Sequence, residues 1–242
     1  MPEYERYVKD EKFLAGYNEY QSKYANEMRE SDRVILGLIA DHGRGASLLD
    51  IGCSTGNLLR HIKRAFPSLA LTGGDLAESS LTIARADTEL TGVEFKRIDM
   101  LDIEGKFDII TGHAVTYLLE WPEFERAIAS IAKALSPGGV FISFEWMHPF
   151  EDQDLAITEV TPSHPDGLTI YSRPYMKVSR VLDKSGLTDV DFHPFSIPLD
   201  LPLPGYRGDP ISYTIKDETG NRMCMRGALF QPWCHMTAIK RG

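Results

Sequence analysis

The residues best suited to chemistry in this chain are a turn of small residues and an acidic side chain downstream of it. Gly52 and Gly56 let the backbone approach a ligand without an intervening Cβ, and the helix predicted after them points free N–H groups at the same place. Asp75, nineteen residues beyond Gly56, ends a second apolar segment, where a carboxylate can accept hydrogen bonds from both hydroxyls of a ribose. Together the two features predict a nucleotide site.

The glycine spacing indicates which kind of nucleotide is bound. The dinucleotide fingerprint Gly-x-Gly-x-x-Gly is missing, and the chain has instead Asp50-x-Gly52-x-Ser54-x-Gly56. This pattern resembles the first motif of the class I S-adenosylmethionine-dependent methyltransferases, (Asp/Glu)-x-Gly-x-Gly-x-Gly. Ser54 replaces the middle glycine, a substitution that costs stability if the backbone there needs a positive φ.

The resemblance continues in the same order along the chain, over about residues 45 to 146. Four more segments are similar to the family's later motifs: 74–76 with the helical pattern 79–85, then 93–100, 107–114, and 135–143 with its Pro-Gly-Gly turn. The resemblance implies S-adenosyl-L-methionine as the cofactor and S-adenosyl-L-homocysteine as the product. A nicotinamide oxidoreductase is disfavoured by the missing third glycine.

The family's motifs also imply which residues hold the cofactor. Asp75 would bind the ribose, Asp99 would accept from the adenine amine, and Met100 would offer its backbone N–H. Cys53 is interpreted as a small turn residue, with a reactive thiol as the alternative. The full predicted set is Asp50, Gly52, Cys53, Ser54, Gly56, Asn57, Asp75, Leu76, Asp99, Met100, His113, Tyr17 and Tyr24.

Aromatic residues near the N-terminus allow two interpretations. Tyr17, Tyr20 and Tyr24 follow helical spacing, which is typical of core packing. In relatives an N-terminal helix folds over the cofactor, and rings there can pack beside the sulfonium. Arg29 or Arg33 would then meet the methionine carboxylate or simply lie on a solvated helix face.

Methyl transfer from a sulfonium needs few catalytic side chains, because the donor is already activated. In an open α/β sheet the reacting atoms lie beyond the carboxyl ends of the strands, so residues after the fourth and fifth strands are the candidates. Glu145, His113 and His148 could each accept or orient the acceptor's proton. The alternative, structural roles of these residues are a salt bridge for Glu145, packing beside the cofactor for His113, and a position in a turn for His148.

Strands and helices alternate between residues 47 and 146, which predicts an α/β fold. The resemblance completes it as a Rossmann-like, doubly wound, mostly parallel seven-stranded sheet with helices on both faces and an antiparallel last strand. We expect one methyltransferase domain over 1–242, comprising an N-terminal helical lid (1–44), a cofactor-binding half (45–146) and a substrate-side half (147–242). Two helices are predicted before the first strand, a long loop at 147–173, an insertion at about 197–225 with a hairpin, and a final strand over 227–239.

Composition narrows the possible acceptors and locations. A net charge of −9, with no long basic run, opposes binding to nucleic acid, and the Asn-Pro-Pro-(Tyr/Phe) motif of base methylation is absent at 111–114. Three cysteines predict neither a disulfide framework nor a metal site. The chain shows no signal-peptide pattern and no apolar segment long enough to span a membrane, so we expect a cytoplasmic protein. A small-molecule acceptor methylated at nitrogen or oxygen is favoured, with RNA or DNA methylation or non-catalytic cofactor binding as alternatives and the oligomeric state left open.

Overall fold

The computed structural model describes residues 3–43, 45–162, 164–205 and 212–242. The helices of these ranges are α1 (Glu3–Lys9), α2 (Glu11–Lys23), α3 (Glu30–His42), α4 (Asn57–Ala65), α5 (Glu78–Ala86), α6 (Trp121–Ala134) and α7 (Tyr175–Lys184). The strands are β1 (Ser47–Ile51), β2 (Ala70–Asp75), β3 (Glu94–Arg97), β4 (Phe107–His113), β5 (Leu135–His148), β6 (Leu155–Glu159), β7 (Leu168–Pro174), β8 (Leu187–Pro194), β9 (Ser212–Lys216), β10 (Arg222–Arg226), β11 (Leu229–Phe230) and β12 (Trp233–Lys240).

The main sheet has the strand order β3-β2-β1-β4-β5-β12-β8. Strands β1 to β5 pair in parallel, and β12 runs antiparallel to both of its neighbours. Successive residues of β1 point into different cores, because Leu48 packs with residues of α3 to α5 while Leu49 packs with residues of α6 and α7. Parallel strands buried on both faces require this two-sided cover. The predicted fold class is confirmed.

Three helices, rather than the predicted two, precede β1. The first helical segment is interrupted at Asp10, whose side chain accepts a hydrogen bond from the backbone N–H of Phe13 at 2.9 Å. An aspartate in this position caps a new helix and so separates α1 from α2. One helix was predicted for this region, because the helical spacing of the side chains continues through Asp10. That prediction was wrong.

The segment 147–173 is a β-hairpin rather than the predicted long loop. Strands β6 and β7 pair antiparallel, and the end of β7 pairs with the end of β5. The alternating burial along β7 is that of a half-buried strand. Pro162, Pro165 and Gly167 suggested a loop, yet all three fall in the connection between the two strands.

The predicted insertion forms a small sheet of its own, in the order β11-β10-β9. Its hairpin joins β9 to β10 through residues 217–221, as expected, and Asp217 Oδ1 accepts from the backbone N–H groups of Thr219 and Asn221 at 2.9 Å each. Leu229 and Phe230 pair with β10, so the prediction that 227–230 belong to the last strand was wrong. Part of the predicted insertion, 206–211, lies outside the described residues.

The described residues contain neither a candidate membrane span nor a candidate metal site. No helix among them is both long enough and apolar enough to cross a bilayer. Within the same ranges no group of three or more His, Cys, Asp or Glu side chains is arranged to hold a metal ion. All three cysteines are free.

Asp50 lies inside the main sheet, and its stability contribution is sensitive to pH. Its side chain is 2% exposed and accepts a hydrogen bond from Thr111 Oγ1 at 2.8 Å. Burial raises the pKa of Asp50 to about 7, although the bond from Thr111 acts in the opposite direction. Between the ordinary aspartate pKa and this raised value the folded state holds a proton that the unfolded state has lost, so stability falls as pH rises through this window.

We therefore expect Asp50→Asn to reduce the pH dependence of stability. Between about pH 5 and about pH 8 the free energy of unfolding should fall by about 2 kcal/mol less in the variant than in the wild type. Urea unfolding at the two pH values measures this difference, and equal losses in the two proteins would contradict it. Asp102→Asn, at an exposed position, is the matched control.

Candidate active site

A cavity of about 730 Å³ lies at the carboxyl ends of the parallel strands. Its floor includes Gly52 after β1, Asp75 at the end of β2, His113 at the end of β4 and Phe144 in β5. Side chains of α1 and α2 and of the segment 195–233 complete the walls. Clefts at this edge of open α/β sheets are where ligands bind, and this volume is in the range of small-molecule sites.

The turn after β1 adopts a left-handed backbone at three positions. The φ angles are 69° at Gly52, 50° at Ser54 and 82° at Gly56. The backbone N–H groups of Gly52 and Cys53 both donate to the carbonyl of Gly74, at 2.7 and 3.1 Å. The turn is thereby held against the end of β2, with Gly52 and Ser54 facing the cavity.

Asp75 supports the turn and also lines the cavity. Its Oδ2 accepts from the N–H of Ser54 and its Oδ1 from the N–H of Ala77, both at 2.8 Å. A carboxylate oxygen has two lone pairs, so each oxygen keeps one for a ligand donor. Burial raises the pKa of Asp75, while the backbone hydrogen bonds act to lower it.

The residues after β3 divide between the cavity and the protein interior. Ile98 and Met100 line the cavity beside Leu76 and give it an apolar side. Asp99 does not line it, and its Oδ1 accepts from the N–H of Leu101 at 2.9 Å. The Asp99 side chain is thus bonded within its own turn and does not line the cavity, where the family motif implied that it would accept from the adenine amine.

Helix α2 is held over the turn by hydrogen bonds between polar groups. Asn57 Nδ2 donates to both the backbone carbonyl and Oε1 of Gln21, each at 2.9 Å. Ser80 Oγ donates to Asn18 Oδ1 at 2.8 Å, and Arg29 Nη2 donates to Gln21 Oε1 at 2.9 Å. Asn57 therefore binds the helix above it and does not line the cavity.

Of the tyrosines predicted near the cofactor, Tyr17 lines the cavity and Tyr24 does not. Helix α2 ends at Lys23, and Tyr24 packs on Tyr20 with ring centroids 4.8 Å apart. Gln21 lies four residues after Tyr17 and so shares its helix face. The four-residue spacing from Tyr17 could have identified Gln21 from the sequence, but only the tyrosines of this helix were selected as candidates.

His113 lines the cavity as a neutral side chain. Its Nε2 lies 3.0 Å from Ser31 Oγ and 3.4 Å from Asp32 Oδ1. Burial lowers the pKa of His113 to about 3, with further lowering from the nearby Arg29 charge. The imidazole is uncharged at neutral pH and a poor proton acceptor, because its protonated form is strongly disfavoured. It joins α3 to the end of β4 instead.

Glu145 lies beneath the cavity and does not line it. Its Oε1 accepts from the N–H groups of Val115 and Thr116 at 3.1 and 2.9 Å, and its Oε2 accepts from the N–H of Tyr117 at 3.0 Å. Burial raises the pKa of Glu145 to about 7 against these hydrogen bonds. These hydrogen bonds hold the loop that carries Tyr117, whose side chain lines the cavity. The expected role of Glu145, accepting a proton from the molecule that is methylated, does not fit this position.

His148 is also outside the cavity lining. The residue is 4% exposed, and its Nδ1 accepts from the N–H of Phe150 at 3.3 Å. This contact agrees with the alternative interpretation of His148 as a turn residue. Beyond the catalytic and tyrosine candidates, Asp50, Cys53, Gly56 and Asn57 likewise lie behind the lining.

The cavity brings together seven of the predicted site residues and several that the sequence analysis did not select. The predicted residues that line it are Gly52, Ser54, Asp75, Leu76, Met100, His113 and Tyr17. Those not selected include Gln21, Phe195, Arg226, Gln231 and Trp233. The last four come from the C-terminal half, where no family motif marks a position.

Replacing Ser54 separates the cost of its backbone from the role of its hydroxyl. Glycine adopts a positive φ without steric cost, whereas alanine keeps the Cβ and loses only the hydroxyl. We expect Ser54→Gly to be more stable than Ser54→Ala by about 1 kcal/mol. Chemical unfolding of both variants tests this, and an alanine variant as stable as the glycine variant would contradict it.

Replacing Glu145 should loosen the loop it holds. In Glu145→Gln the amide group points a donor at backbone N–H groups, so part of the three-way contact is lost. Hydrogen exchange at residues 115–117 should become about tenfold faster, while the amides of β1 keep their wild-type rates. Glu125→Gln on the exposed face of α6 is the control. Unchanged exchange at 115–117 would show that the carboxylate does not hold the loop.

The chain resembles known proteins in both sequence and fold. Residues 48–139 match the model of a family described as a methyltransferase domain. The chain is 36% identical over 108 residues to a dTDP-3-amino-3,4,6-trideoxy-alpha-D-glucopyranose N,N-dimethyltransferase of Streptomyces venezuelae, covering 43% of this chain and 44% of that one. It is 31% identical over 96 residues to a trans-aconitate 2-methyltransferase of Deinococcus radiodurans, covering 39% and 36%. The matches thus span less than half the length of these two relatives.

The fold is also that of a solved methyltransferase. Magnesium protoporphyrin IX methyltransferase from Synechocystis PCC 6803, solved with bound S-adenosylmethionine, superposes with a TM-score of 0.61 at 13% identity, over 99% of this chain and 98% of that one. The family-model match at residues 48–139 includes the glycine turn and Asp75, and the likeness in fold covers nearly the whole chain. The chain is therefore similar to S-adenosylmethionine-dependent methyltransferases, in sequence over a methyltransferase domain at residues 48–139 and in fold over nearly its whole length.

Proposed function

We propose that this methyltransferase transfers a methyl group from S-adenosylmethionine to a nitrogen or oxygen atom of a small-molecule acceptor, by in-line displacement. The observation that carries the proposal is the continuity of the cavity. One space of about 730 Å³ reaches both the glycine turn with Asp75 and the ring of Trp233 in the C-terminal half. Donor and acceptor can therefore share one enclosed volume, which in-line transfer requires.

The donor end fits an adenosine with an attached sulfonium. We assign the ribose hydroxyls to Asp75, whose two oxygens each keep a free lone pair. Ser54 Oγ is buried without a hydrogen-bond partner among the described residues, so it is available to a ligand. We assign the adenine to the apolar side formed by Leu76 and Met100, and we propose that α1 and α2 form the lid over this end.

The acceptor end needs no general base in this proposal. S-adenosylmethionine, when bound, supplies a methyl group that is already activated by the sulfonium charge. The chain's own side chains align the acceptor and exclude water, and Tyr17 and Tyr117 line the cavity for that task. His113 is neutral and bonded to Ser31, and Glu145 is engaged with backbone N–H groups. The acceptor's proton then leaves to solvent.

The proposal of a small acceptor rests on enclosure and charge. Helices α1 and α2 and the segment 195–233 all contribute walls, which leaves the cavity suited to a compact molecule. A net charge of −9 opposes the phosphate backbone of a nucleic acid. The relatives are named for methylation of a nucleotide sugar amine and of trans-aconitate, which are both small molecules.

Calorimetric titration with S-adenosylhomocysteine tests the donor end. We expect Asp75→Ala to weaken binding at least about 30-fold, because two hydrogen bonds to a buried carboxylate are lost. Asp102→Ala, at an exposed site after β3, should bind like the wild type. Circular dichroism confirms that the variant is folded, and undiminished affinity in Asp75→Ala would contradict the ribose assignment.

Radiolabelled S-adenosylmethionine tests the transfer itself. Incubation with a fraction of small metabolites should place labelled methyl groups on at least one low-molecular-weight product. Label found only on added RNA would contradict the small-molecule acceptor. Donor binding with no labelled product in any fraction would instead favour a non-catalytic binding subunit.

A further inference from the structure

The acceptor end of the cavity has an aromatic wall, which we define as His113, Tyr117, Phe144, Phe195 and Trp233. Phe144 and Trp233 are stacked, with ring centroids 4.6 Å apart and planes within 8°. Phe195 meets Phe144 edge-on at 5.2 Å and 87°. His113, Phe144 and Trp233 lie in β4, β5 and β12, and Phe195 directly follows β8, so the sheet holds the orientations of these four rings. Tyr117 lies in the loop after β4, which Glu145 holds in place.

Trp233 is held in place by other aromatic rings and still lines the cavity. Its ring packs edge-on against the buried Trp146, with centroids 5.7 Å apart, and against Tyr117 at 6.1 Å. The residue is only half-buried and lines the cavity. A flat apolar surface in a fixed orientation favours a flat ligand, because stacking gains contact area without ordering a flexible side chain.

The segment after β8 adds apolar side chains to the same chamber. Ile197, Leu199 and Leu201 all line the cavity, and Leu199 is 52% exposed. A ligand without charge would remove this apolar surface from water. The three side chains and the aromatic wall together favour a largely apolar molecule.

The charged side chain that the segment 195–233 contributes to the cavity lining is already paired. Among the described residues of 195–233 that line the cavity, Arg226 is the single charged side chain. Its Nε donates to both carboxylate oxygens of Glu159 on β6, at 3.2 and 3.0 Å, and the Glu159 side chain is 8% exposed. At this segment an anionic ligand would have to displace the Glu159 carboxylate from Arg226, and a cationic one would find no carboxylate among the described lining residues of 195–233, so each would lose solvation without a partner there.

Gln231 supplies one polar contact in this apolar chamber. The residue is 6% exposed, and its Oε1 accepts from Ser212 Oγ at 3.0 Å and from Cys224 Sγ at 3.2 Å. One atom of the amide is therefore held, and the other has no hydrogen-bond partner within the described ranges. This free amide atom suits a neutral hydroxyl, amine or carbonyl group on the ligand.

We propose that the acceptor is a neutral, planar aromatic compound that carries a hydroxyl or amino group, of the phenol or aryl amine class. The proposal rests on the proposed function, because it assigns the second half of the same cavity. In the reaction a lone pair of the acceptor oxygen or nitrogen forms a bond to the methyl carbon. The carbon–sulfur bond breaks with its electron pair remaining on sulfur, and the acceptor's proton goes to water.

The test is calorimetric binding to the wild-type protein saturated with S-adenosylhomocysteine. The probes are 2-naphthol, its carboxylate analogue 2-naphthoate, its saturated non-planar analogue decahydro-2-naphthol, and the cation naphthalen-2-ylmethylammonium. We expect 2-naphthol to bind at least about tenfold more tightly than each of the other three. Preference for any of these three would overturn the assignment.

Two variants locate the binding. Trp233→Leu and Phe195→Leu should each weaken 2-naphthol binding about tenfold and leave the affinity for S-adenosylhomocysteine within about twofold of the wild type. Phe195→Leu provides the test if the tryptophan variant does not fold. Trp121→Leu is the matched control, because Trp121 packs on Phe124 at the start of α6, away from the cavity. Unchanged 2-naphthol binding in a folded Phe195 or Trp233 variant would overturn the proposal.

The experiments distinguish failure of the aromatic acceptor from failure of the proposed methyl transfer. A protein that binds S-adenosylhomocysteine but not 2-naphthol contradicts the aromatic acceptor and leaves methyl transfer standing. A protein that binds neither contradicts the proposed function as well.

Discussion

The carbonyl of Gly74 accepts hydrogen bonds from the N–H groups of both Gly52 and Cys53, and this contact ties the turn after β1 to the end of β2. Asp75, the next residue, accepts from Ser54 and continues the same connection. The left-handed conformations at Gly52, Ser54 and Gly56 are maintained by these bonds, and they start α4 in the direction that leaves space above the sheet. Strands β1 and β2 pair along their length, and this contact extends the connection beyond the end of β1 into the turn, so that Gly52, Ser54 and Asp75 line one surface.

The cover of the donor end depends on polar contacts more than on apolar packing. Asn57 bonds Gln21, Ser80 bonds Asn18, and Ser31 bonds His113, so α2 and α3 are attached to α4, α5 and β4 by buried hydrogen bonds. Such bonds contribute modestly to stability when made and cost more when left unpaired in the interior. They therefore specify the position of the cover strongly while adding little to its net stability.

Buried ionisable groups around the cavity act on the backbone more than on a ligand. Glu145 binds three N–H groups of the loop 115–117, and Arg173 donates from the other side to the carbonyls of Thr116 and Leu119. The loop thus has its donors and acceptors satisfied by two side chains of opposite charge, in a place where water is excluded. Tyr117 is held in the wall of the cavity as a consequence. The raised pKa of Glu145 accompanies a structural role, because its carboxylate lies outside the cavity lining and is hydrogen-bonded to the loop backbone.

The sequence alone determined the alternation of strands and helices over residues 47–146, the mostly parallel sheet, and the glycine turn and Asp75 at the end of the cavity that we propose binds the donor. Local rules are sufficient there, since Gly52, Gly56 and Asp75 are placed by the turn that joins one strand to the next helix. The tertiary structure decided the acceptor end. Phe195, Arg226, Gln231 and Trp233 come from separate elements of the C-terminal half, which reach the cavity only after β12 pairs with both β5 and β8. It also decided that Glu145 and His148 point into the protein, because the direction of a side chain at a strand end depends on which loop packs above it, a long-range contact that residue spacing does not contain.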